Sequence, residues 1–177
     1  MLERLAPKEW YERLWKIPVN NLVKNGIRGV IVDLDNTLVP WRTELADASS
    51  NLHNWLTKLK EAGLDICIVS NGGSSRVKRF ADALDVKYVA GIPKPRRTPF
   101  KLAMAKMGTS PEETAVVGDQ LFTDVLGGNR CGLYTILVSP QGKKEFVTTK
   151  LVRLIEKRVK TRLEARGLFP TRKGDVE

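Results

Sequence analysis

Residues 29–37 read Gly-Val-Ile-Val-Asp-Leu-Asp-Asn-Thr, a short apolar run that ends in two acids. An apolar run of this length, rich in Val and Ile, is typical of a strand that is buried on both faces. Asn36 and Thr37 favour a turn, so the chain is predicted to leave the strand beside the acids. Asp33 and Asp35 are therefore predicted to lie together at the carboxyl end of a buried strand.

Outward from this strand, apolar runs alternate with helical patterns along the chain. Further strands are predicted at 65–70, 88–90, 114–119 and 134–138. Helices are predicted near 52–62, 74–84, 99–107 and 121–126, with a capped helical turn at 110–113. Nearly continuous apolar strands that alternate with helices indicate a parallel sheet covered on both faces. We therefore predict a three-layer α/β fold that binds its ligand beyond the carboxyl ends of the strands.

Polar side chains stand at the ends of two more predicted strands. Ser70 and Asn71 begin a Ser-Asn-Gly-Gly turn, whose hydroxyl and backbone amides suit the oxygens of a phosphoryl group. Asp119 ends a strand and Asp124 follows it, which supplies the hard oxygen ligands that Mg²⁺ prefers. Each feature alone has an ordinary structural explanation, because acids at strand ends also cap helices and glycine turns are common. Their combination at one edge of the sheet predicts a phosphate site that uses a metal.

A lysine in a stiff loop adds a positive charge to this set. Lys94 lies between Pro93 and Pro95, shortly after the strand predicted at 88–90. The two prolines restrict the backbone and are expected to hold the ammonium in place. Most lysines are solvated surface residues, but this setting favours a role at the site, because phosphoryl transfer requires neutralisation of the phosphoryl oxygens.

This ordered set of motifs resembles the haloacid dehalogenase superfamily over about residues 29–138. The resemblance implies a Rossmann-like core and an aspartyl-phosphate intermediate formed on Asp33. It implies that Asp35 is the general acid and base and also gives its backbone carbonyl to the metal. The implied phosphate-binding residues are Thr37, Ser70, Asn71 and Lys94. The implied Mg²⁺ ligands are Asp33, Asp35, Asp119 and Asp124, the last of them directly or through water.

Asp35, the second acid of the Asp-Leu-Asp-Asn-Thr motif, indicates the class of reaction. A dehalogenase-like member has no need of Asp35, whereas a phosphatase needs a proton donor for the leaving alkoxide. The presence of Asp35 therefore predicts a hydrolase of phosphate monoesters.

The intervals between the motifs leave no room for a cap domain. One helix and one strand account for the chain between Asp35 and Ser70, and again for the chain between Ser70 and Lys94. An open site suits a protein, a nucleic acid or a lipid head group as substrate. Capless members that close through oligomerisation also exist, so a smaller substrate stays open as an alternative.

Within the capless subclass (IIIA), the chain resembles the bacterial subfamily related to mitochondrial phosphatidylglycerophosphate phosphatase. The segments that carry this resemblance are Ile17-Pro-Val-Asn20, Gly26-Ile-Arg-Gly-Val30 and Lys94-Pro-Arg-Arg97. It implies removal of the terminal phosphate from an anionic phospholipid. Arg96 and Arg97 would then bind the second phosphate of the lipid, or they are ordinary surface charges. A soluble phosphatase for a small molecule or a phosphoprotein is the alternative.

Positive charge is concentrated towards both ends of the sequence. The net charge is +3 over 1–28, +1 over 29–140 and +6 over 141–177, of +10 in total. We accordingly expect an amphipathic basic N-terminal extension (1–28), a phosphatase core (29–140) and a basic amphipathic C-terminal helix with its tail (141–177). Such local excess suits an anionic partner such as a membrane surface, or it marks only solvated basic helices.

Both basic segments carry apolar residues in an amphipathic arrangement. The first has an aromatic and aliphatic cluster: Trp10, Tyr11, Leu14 and Trp15. The second has an apolar residue at every fourth position: Val147, Leu151, Ile155, Val159 and Leu163. Its lysines and arginines fall mostly on the opposite side: Lys150, Arg153, Lys157 and Lys160. Segments of this kind lie in a membrane interface or pack on the sheet as ordinary helices, and both readings stay open.

The composition narrows the remaining classes of function. The 177 residues, 42% of them hydrophobic, suit one globular domain, and no apolar run approaches the roughly 20 residues of a membrane span. No hydrophobic signal core is present, and Cys67 and Cys131 are predicted to be reduced, so we expect a cytoplasmic protein. Peripheral attachment to the inner face of the membrane is the open variant. The absence of a common RNA-binding signature, beside a full catalytic set, argues against a nucleic-acid or ribosome-binding protein.

Overall fold

The computed structural model describes residues 2–41, 43, 49–142 and 147–173, without the side chains of 147–151 and 153. Its strands are β1 Glu9–Tyr11, β2 Gly29–Val32, β3 Asp65–Ser70, β4 Lys87–Ala90, β5 Thr114–Gly118, β6 Tyr134–Val138 and β7 Arg172–Lys173. Its α-helices are α1 Val19–Lys24, α2 Ser50–Glu61, α3 Ser74–Leu84, α4 Arg97–Met107, α5 Leu126–Cys131 and α6 Val147–Glu164. Short 3₁₀-helices lie at Leu2–Leu5 and Leu14–Lys16, and a π-helical turn lies at Leu121–Val125.

The described strands form one parallel sheet with the order β4-β3-β2-β5-β6-β1-β7. The five strands predicted from the sequence, β2 to β6, are confirmed, and so is the Rossmann-like α/β fold. The helical turn predicted at 110–113 is wrong, because the chain makes only a hydrogen-bonded turn there. The backbone amide of Ser110 donates to the carboxylate of Glu113, and Thr114 then begins β5.

Helices cover both faces of the sheet. Successive side chains of the central strand β2 point to opposite faces, and both sets are buried. Val30 and Val32 pack in the core cluster formed with α2 and α3, whereas Ile31 packs with α4. Both faces of β2 are thus apolar, which explains why its sequence does not alternate. Cys67 is buried in the second cluster, and both cysteines are free thiols, as predicted.

Among the described residues, one helix lies in each of the two intervals where a cap domain would be inserted. Between β3 and β4 the chain has only α3, and between β2 and β3 the only helix or strand of the described residues is α2. Within the part of the chain that the structure describes there is accordingly no cap domain. The prediction that no cap domain covers the carboxyl ends of the strands is confirmed for the described residues.

The N-terminal segment, predicted as an extension, contributes a strand to the same sheet. The backbone of β1 pairs with β6 on one side and with β7 on the other. Tyr11 and Leu14 are buried in the main core, and Lys173 donates to Glu9 over 2.6 Å. This part of the amphipathic segment therefore packs as ordinary structure.

The C-terminal helix α6 packs on the sheet through part of its predicted apolar stripe. Leu163 is fully buried, but Ile155 is 46% exposed; the side chains of Val147 and Leu151 lie outside the described set. Lys160 does not project to the opposite side as predicted, because its ammonium lies 3.5 Å from the centre of the Trp10 ring. Among the helices of the described residues, none is both long and apolar enough to cross a bilayer.

Candidate active site

The predicted site residues meet at the carboxyl edge of the sheet, where β2 lies between β3 and β5. The backbone amide of Asp33 donates to the carbonyl of Val117 over 3.0 Å, which fixes Asp33 beside the end of β5. Ser70 ends β3 on the other side, and Asp119 directly follows β5. Neighbouring parallel strands thus bring together residues that are far apart in the sequence.

A tight turn after β2 positions the two acids of the first motif. Asn36 has a left-handed backbone (φ 63°), a conformation that Asn tolerates better than most residues. Its amide donates to the carbonyl of Val39 over 2.7 Å, and its side chain accepts from the amide of Trp41 over 3.1 Å. The chain therefore turns away immediately after Asp35, as the sequence predicted.

Lys94 lies at the centre of the site and is almost completely buried. Its ammonium donates to Asp33 Oδ1 over 2.5 Å, to Asp124 Oδ1 over 2.6 Å and to the carbonyl of Val69 over 3.0 Å. Its backbone amide donates to Asn71 Oδ1 over 2.7 Å, which holds the loop in place. Burial acts to lower the pKa of Lys94, but the carboxylates of Asp124 and Asp33 outweigh it and raise that pKa. Lys94 is therefore a permanently charged ammonium between two carboxylates.

Three buried carboxylates form a group suited to a divalent cation. Asp33, Asp119 and Asp124 each offer a ligand atom, and these atoms all lie within 4.8 Å of one another. All three are buried, and closely spaced carboxylates in a buried setting disfavour one another's ionised form unless a cation lies among them. Hard oxygen donors of this number and charge fit Mg²⁺. This donor set is thus consistent with the metal that the sequence predicted.

A glycine allows one of these carboxylates to reach the group. A Cβ atom placed on Gly118 would lie 2.2 Å from Cγ of Asp124, well inside van der Waals contact. The Asp124 carboxylate also accepts from the backbone amide of Gln120 over 3.2 Å and from the hydroxyl of Thr123 over 3.2 Å. The π-helical turn and Gly118 therefore hold Asp124 against the end of β5.

Asp35, predicted to give its backbone carbonyl to the metal, lines the active-site cavity and pairs its carboxylate with an arginine. Asp35 Oδ1 accepts from the guanidinium of Arg76 over 2.8 Å, and this guanidinium also donates to the carbonyl of Thr43 over 3.2 Å. The Arg76 side chain stacks on Phe80, 5.0 Å from the ring centre. Arg76 was not among the residues singled out in the sequence. Its position in the first turn of α3, just after the Ser-Asn-Gly-Gly turn, is the signal that points to it.

A small cavity of about 80 Å³ opens at the centre of the site. Its walls are Asp33, Asp35, Ser70, Asn71, Gly72, Lys94, Gln120 and Thr123. Pockets for whole drug-sized ligands measure roughly 300–1,000 Å³, so this cavity suits a single small group such as a phosphoryl group.

Some of the predicted phosphate-binding and substrate residues have other neighbours. The hydroxyl of Thr37, which is fully buried, lies 3.4 Å from Asp119 Oδ1. The hydroxyl oxygen of Ser70 accepts from the backbone amide of Gly72 over 3.0 Å. Arg96 and Arg97 are exposed at the start of α4 and do not line the cavity.

Burial has a consequence for the ionisation of Asp33. Burial raises the pKa of Asp33 to about 7, the charge of Lys94 opposes this shift, and that of Asp124 adds to it. A group with a raised pKa in the folded state stabilises the fold when protonated, and this contribution is lost as the pH rises through the folded pKa. In EDTA, we expect the free energy of unfolding of the wild type to fall relative to Asp33→Asn between about pH 4 and pH 7.

Urea denaturation of both proteins across this pH range tests the expectation. Saturating Mg²⁺ should reduce the difference, because a divalent cation favours the carboxylate. If the two proteins follow parallel curves in EDTA, the pKa of Asp33 is not raised.

Comparisons with known proteins place the chain among phosphatases. A family model described as haloacid dehalogenase-like hydrolase matches residues 47–132. The chain is 37% identical over 161 residues to "Probable phosphatase YqeG" of Bacillus subtilis, which covers 91% of this chain and 92% of that protein. It is 31% identical over 129 residues to the mitochondrial phosphatidylglycerophosphatase GEP4 of Saccharomyces cerevisiae, covering 66% of this chain and 69% of that protein.

A solved structure shares the fold. The cobalt-bound form of deoxy-D-mannose-octulosonate 8-phosphate phosphatase from Haemophilus influenzae matches with a TM-score of 0.53 and 18% identity, over 81% of this chain and 91% of that chain. With the similarity to phosphatase relatives along nearly its whole length, this chain is a phosphatase and belongs to the haloacid dehalogenase-like hydrolases.

Proposed function

We propose that this phosphatase removes the terminal phosphate of phosphatidylglycerophosphate, with Mg²⁺ and through an aspartyl-phosphate on Asp33. The observation that carries the chemistry is the buried ammonium of Lys94, which bridges Asp33 and Asp124 beside the carboxylate of Asp35. Lys94 gives the carboxylate of Asp33 a cationic neighbour, and Asp35 is a second acid that lines the same cavity. Hydrolysis of a monoester through a covalent intermediate requires a nucleophile and a general acid and base, and two carboxyl groups can fill these roles.

In the first step, the carboxylate of Asp33 attacks phosphorus and the bond to the leaving alkoxide breaks. Asp35, in its protonated form, gives its proton to that alkoxide. In the second step Asp35 takes a proton from water, the water oxygen attacks phosphorus, and the bond from phosphorus to Asp33 breaks. Inorganic phosphate leaves, and both acids return to their starting states.

Charge on the phosphoryl group is balanced by the residues around the cavity. Lys94 neutralises the nucleophile and the oxygens that gain charge, while Asn71 and the amides of its turn donate hydrogen bonds to them. Asp33, Asp119 and Asp124 would hold Mg²⁺, with the backbone carbonyl of Asp35 as a further ligand. A bound Mg²⁺ supplies electrostatic stabilisation of the phosphoryl oxygens.

The choice of a lipid as substrate is supported by two observations of different kinds. The relative GEP4 is named as a phosphatidylglycerophosphatase, and it resembles this chain over two thirds of its length. The edge of the sheet that carries the site has no cap domain among the described residues, so a head group attached to a membrane can reach it. A soluble monoester remains the competing substrate, and the experiment separates the two.

The test is phosphate release from phosphatidylglycerophosphate in mixed micelles with Mg²⁺, next to a panel of soluble phosphomonoesters. Asp33→Asn serves as the inactive background, and Asp82→Asn, which changes an exposed acid of α3, as the matched control. We expect the lipid to be the preferred substrate by kcat/KM. Turnover of soluble esters alone would keep the phosphatase chemistry and refute the lipid assignment.

Arg76 is expected to position Asp35 for proton transfer. Arg76→Met should lower kcat for an alkyl phosphate about 10- to 100-fold, because the unpaired Asp35 carboxylate loses its fixed orientation. Arg76→Lys should restore part of the activity. The loss should shrink with p-nitrophenyl phosphate, whose leaving group departs without protonation. An equal loss with both substrates would indicate a structural role for Arg76 instead.

A further inference from the structure

A second and larger cavity lies on the far side of Asp119. It measures about 440 Å³ and lies between the carboxyl ends of β1 and β6 and the helix α6; we call it the α6 cavity. Its volume falls in the range of roughly 300–1,000 Å³ that is common for ligand pockets. Asp119 lines this cavity and also belongs to the carboxylate group of the active site. The α6 cavity therefore adjoins the carboxylate group of the active site.

The walls of the α6 cavity are mainly apolar. They include Trp10 of β1, Leu121 of the π-helical turn and Leu137 of β6. The opposite wall is α6, which is held at two points, one against the core and one against the π-helical turn. Leu163 is fully buried, and the Glu156 carboxylate accepts from the backbone amide of Phe122 over 3.1 Å. An apolar cavity held open between fixed elements suits the apolar part of a ligand.

Two ammonium groups line the same cavity. Lys157 is exposed and, among the side chains that the structure describes, forms no ion pair. Lys160 is half-buried over the ring of Trp10, with Glu164 at 3.8 Å. The two acids of the cavity are already engaged, Glu156 by the Phe122 amide and Asp119 in the carboxylate group. The α6 cavity thus combines apolar walls with cationic groups.

We propose that the α6 cavity binds the phosphodiester and the glycerol backbone of the phospholipid whose terminal phosphate is removed. This inference rests on the proposed function. The occupant must be anionic to match Lys157 and Lys160, partly apolar to match Trp10 and Leu137, and linked to a phosphate at the active site. A diacylglycerol phosphodiester that carries a terminal phosphate meets all three conditions in one molecule. Lys157 and Lys160, rather than the exposed Arg96 and Arg97, then face the second phosphate.

The test compares two substrates in variants of the α6 cavity. Lys157→Glu reverses an exposed charge, and Ser139→Trp fills the cavity from the end of β6. We expect each to raise KM for phosphatidylglycerophosphate in mixed micelles about tenfold, which corresponds to about 1.4 kcal/mol of binding. The kcat/KM for p-nitrophenyl phosphate should change less than about twofold, because that ester has no diester or glycerol backbone.

Matched controls separate the cavity from general effects of charge and folding. Lys58→Glu makes the same charge reversal at an exposed lysine near the end of α2, toward the amino end of β3 and away from the site. Ser139→Ala changes the same residue as Ser139→Trp but leaves the cavity open. Both should behave as wild type with both substrates. Unchanged p-nitrophenyl phosphate turnover in Ser139→Trp also shows that this variant is folded.

The outcomes distinguish the inference from the proposed function. If the wild type turns over the lipid and KM is unchanged in both Lys157→Glu and Ser139→Trp, the inference alone is overturned. An equal loss of kcat/KM on both substrates in Lys157→Glu overturns it as well. A wild type that cleaves soluble esters and not the lipid overturns the proposed substrate and the inference together.

Discussion

Asp33→Asn is expected to lower kcat for phosphate release by at least about 10⁴-fold, the scale seen when a covalent nucleophile is removed. An amide oxygen does not form the aspartyl-phosphate, whereas the shape of the side chain and its hydrogen bond from Lys94 are kept. The substitution also removes one acidic group from three closely spaced buried carboxylates. We therefore expect a folded and inactive protein at neutral pH.

Two measurements check this result. Steady-state phosphate release gives kcat, and acid quenching during turnover of a radiolabelled substrate reports phosphate bound to the protein. The label should be present in the wild type and in Asp82→Asn, and absent in Asp33→Asn. If Asp33→Asn keeps more than about a tenth of the activity, Asp33 is not the nucleophile.

Lys94→Met is expected to cost both stability and activity. Without the ammonium, Asp33 and Asp124 lose the cation that both contact, and breaking a buried charge pair typically costs about 3–5 kcal/mol. The loss should appear in EDTA as a lower midpoint of urea denaturation, and Mg²⁺ should restore part of it by supplying positive charge. The kcat should fall about 10²- to 10³-fold, because the phosphoryl oxygens lose a fixed cation.

A surface lysine provides the control for this prediction. Lys87 pairs with Asp65 at the opposite edge of the sheet, and both side chains are well exposed. Lys87→Met should therefore cost at most about 1 kcal/mol and leave kcat unchanged. Equal losses of stability in the two variants would show that Lys94 is an ordinary structural lysine.

The sequence predicts the centre of the sheet well, because burial on both faces leaves an unmistakable pattern. The strands β2 to β6 each carry a run of apolar residues, and short helices separate them. At one end of the sheet, β1 has only three residues and the edge strand β7 only two. β1 contains Glu9 and β7 consists of two basic residues, so neither has a recognisable strand pattern. Their pairing depends on contacts between the two halves of the chain.

The sequence also predicts which residues meet at the site, but less well how they are paired. The rule that ligands bind at strand ends brings Asp33, Ser70 and Asp119 together. It does not determine that Asp124 contacts Lys94, since that contact depends on the π-helical turn and on Gly118. The sequence does not predict a role for Arg76, because an arginine on an amphipathic helix is usually solvated. Only the fold shows that the first turn of α3 lies beside Asp35.

The position of β1 has a consequence for the order in which the protein folds during its synthesis. β1 is made before the other described strands, yet its partners are β6 and β7, with Glu9 beside Ile136. The central strands can pair as soon as each successive β-α unit emerges, whereas β1 cannot pair until β6 has been made. Tyr11 of β1, which is buried in the folded protein, lacks its partner strand during this interval. We therefore expect β1 to be one of the later described strands to join the sheet, which leaves an apolar segment open to aggregation in the nascent chain.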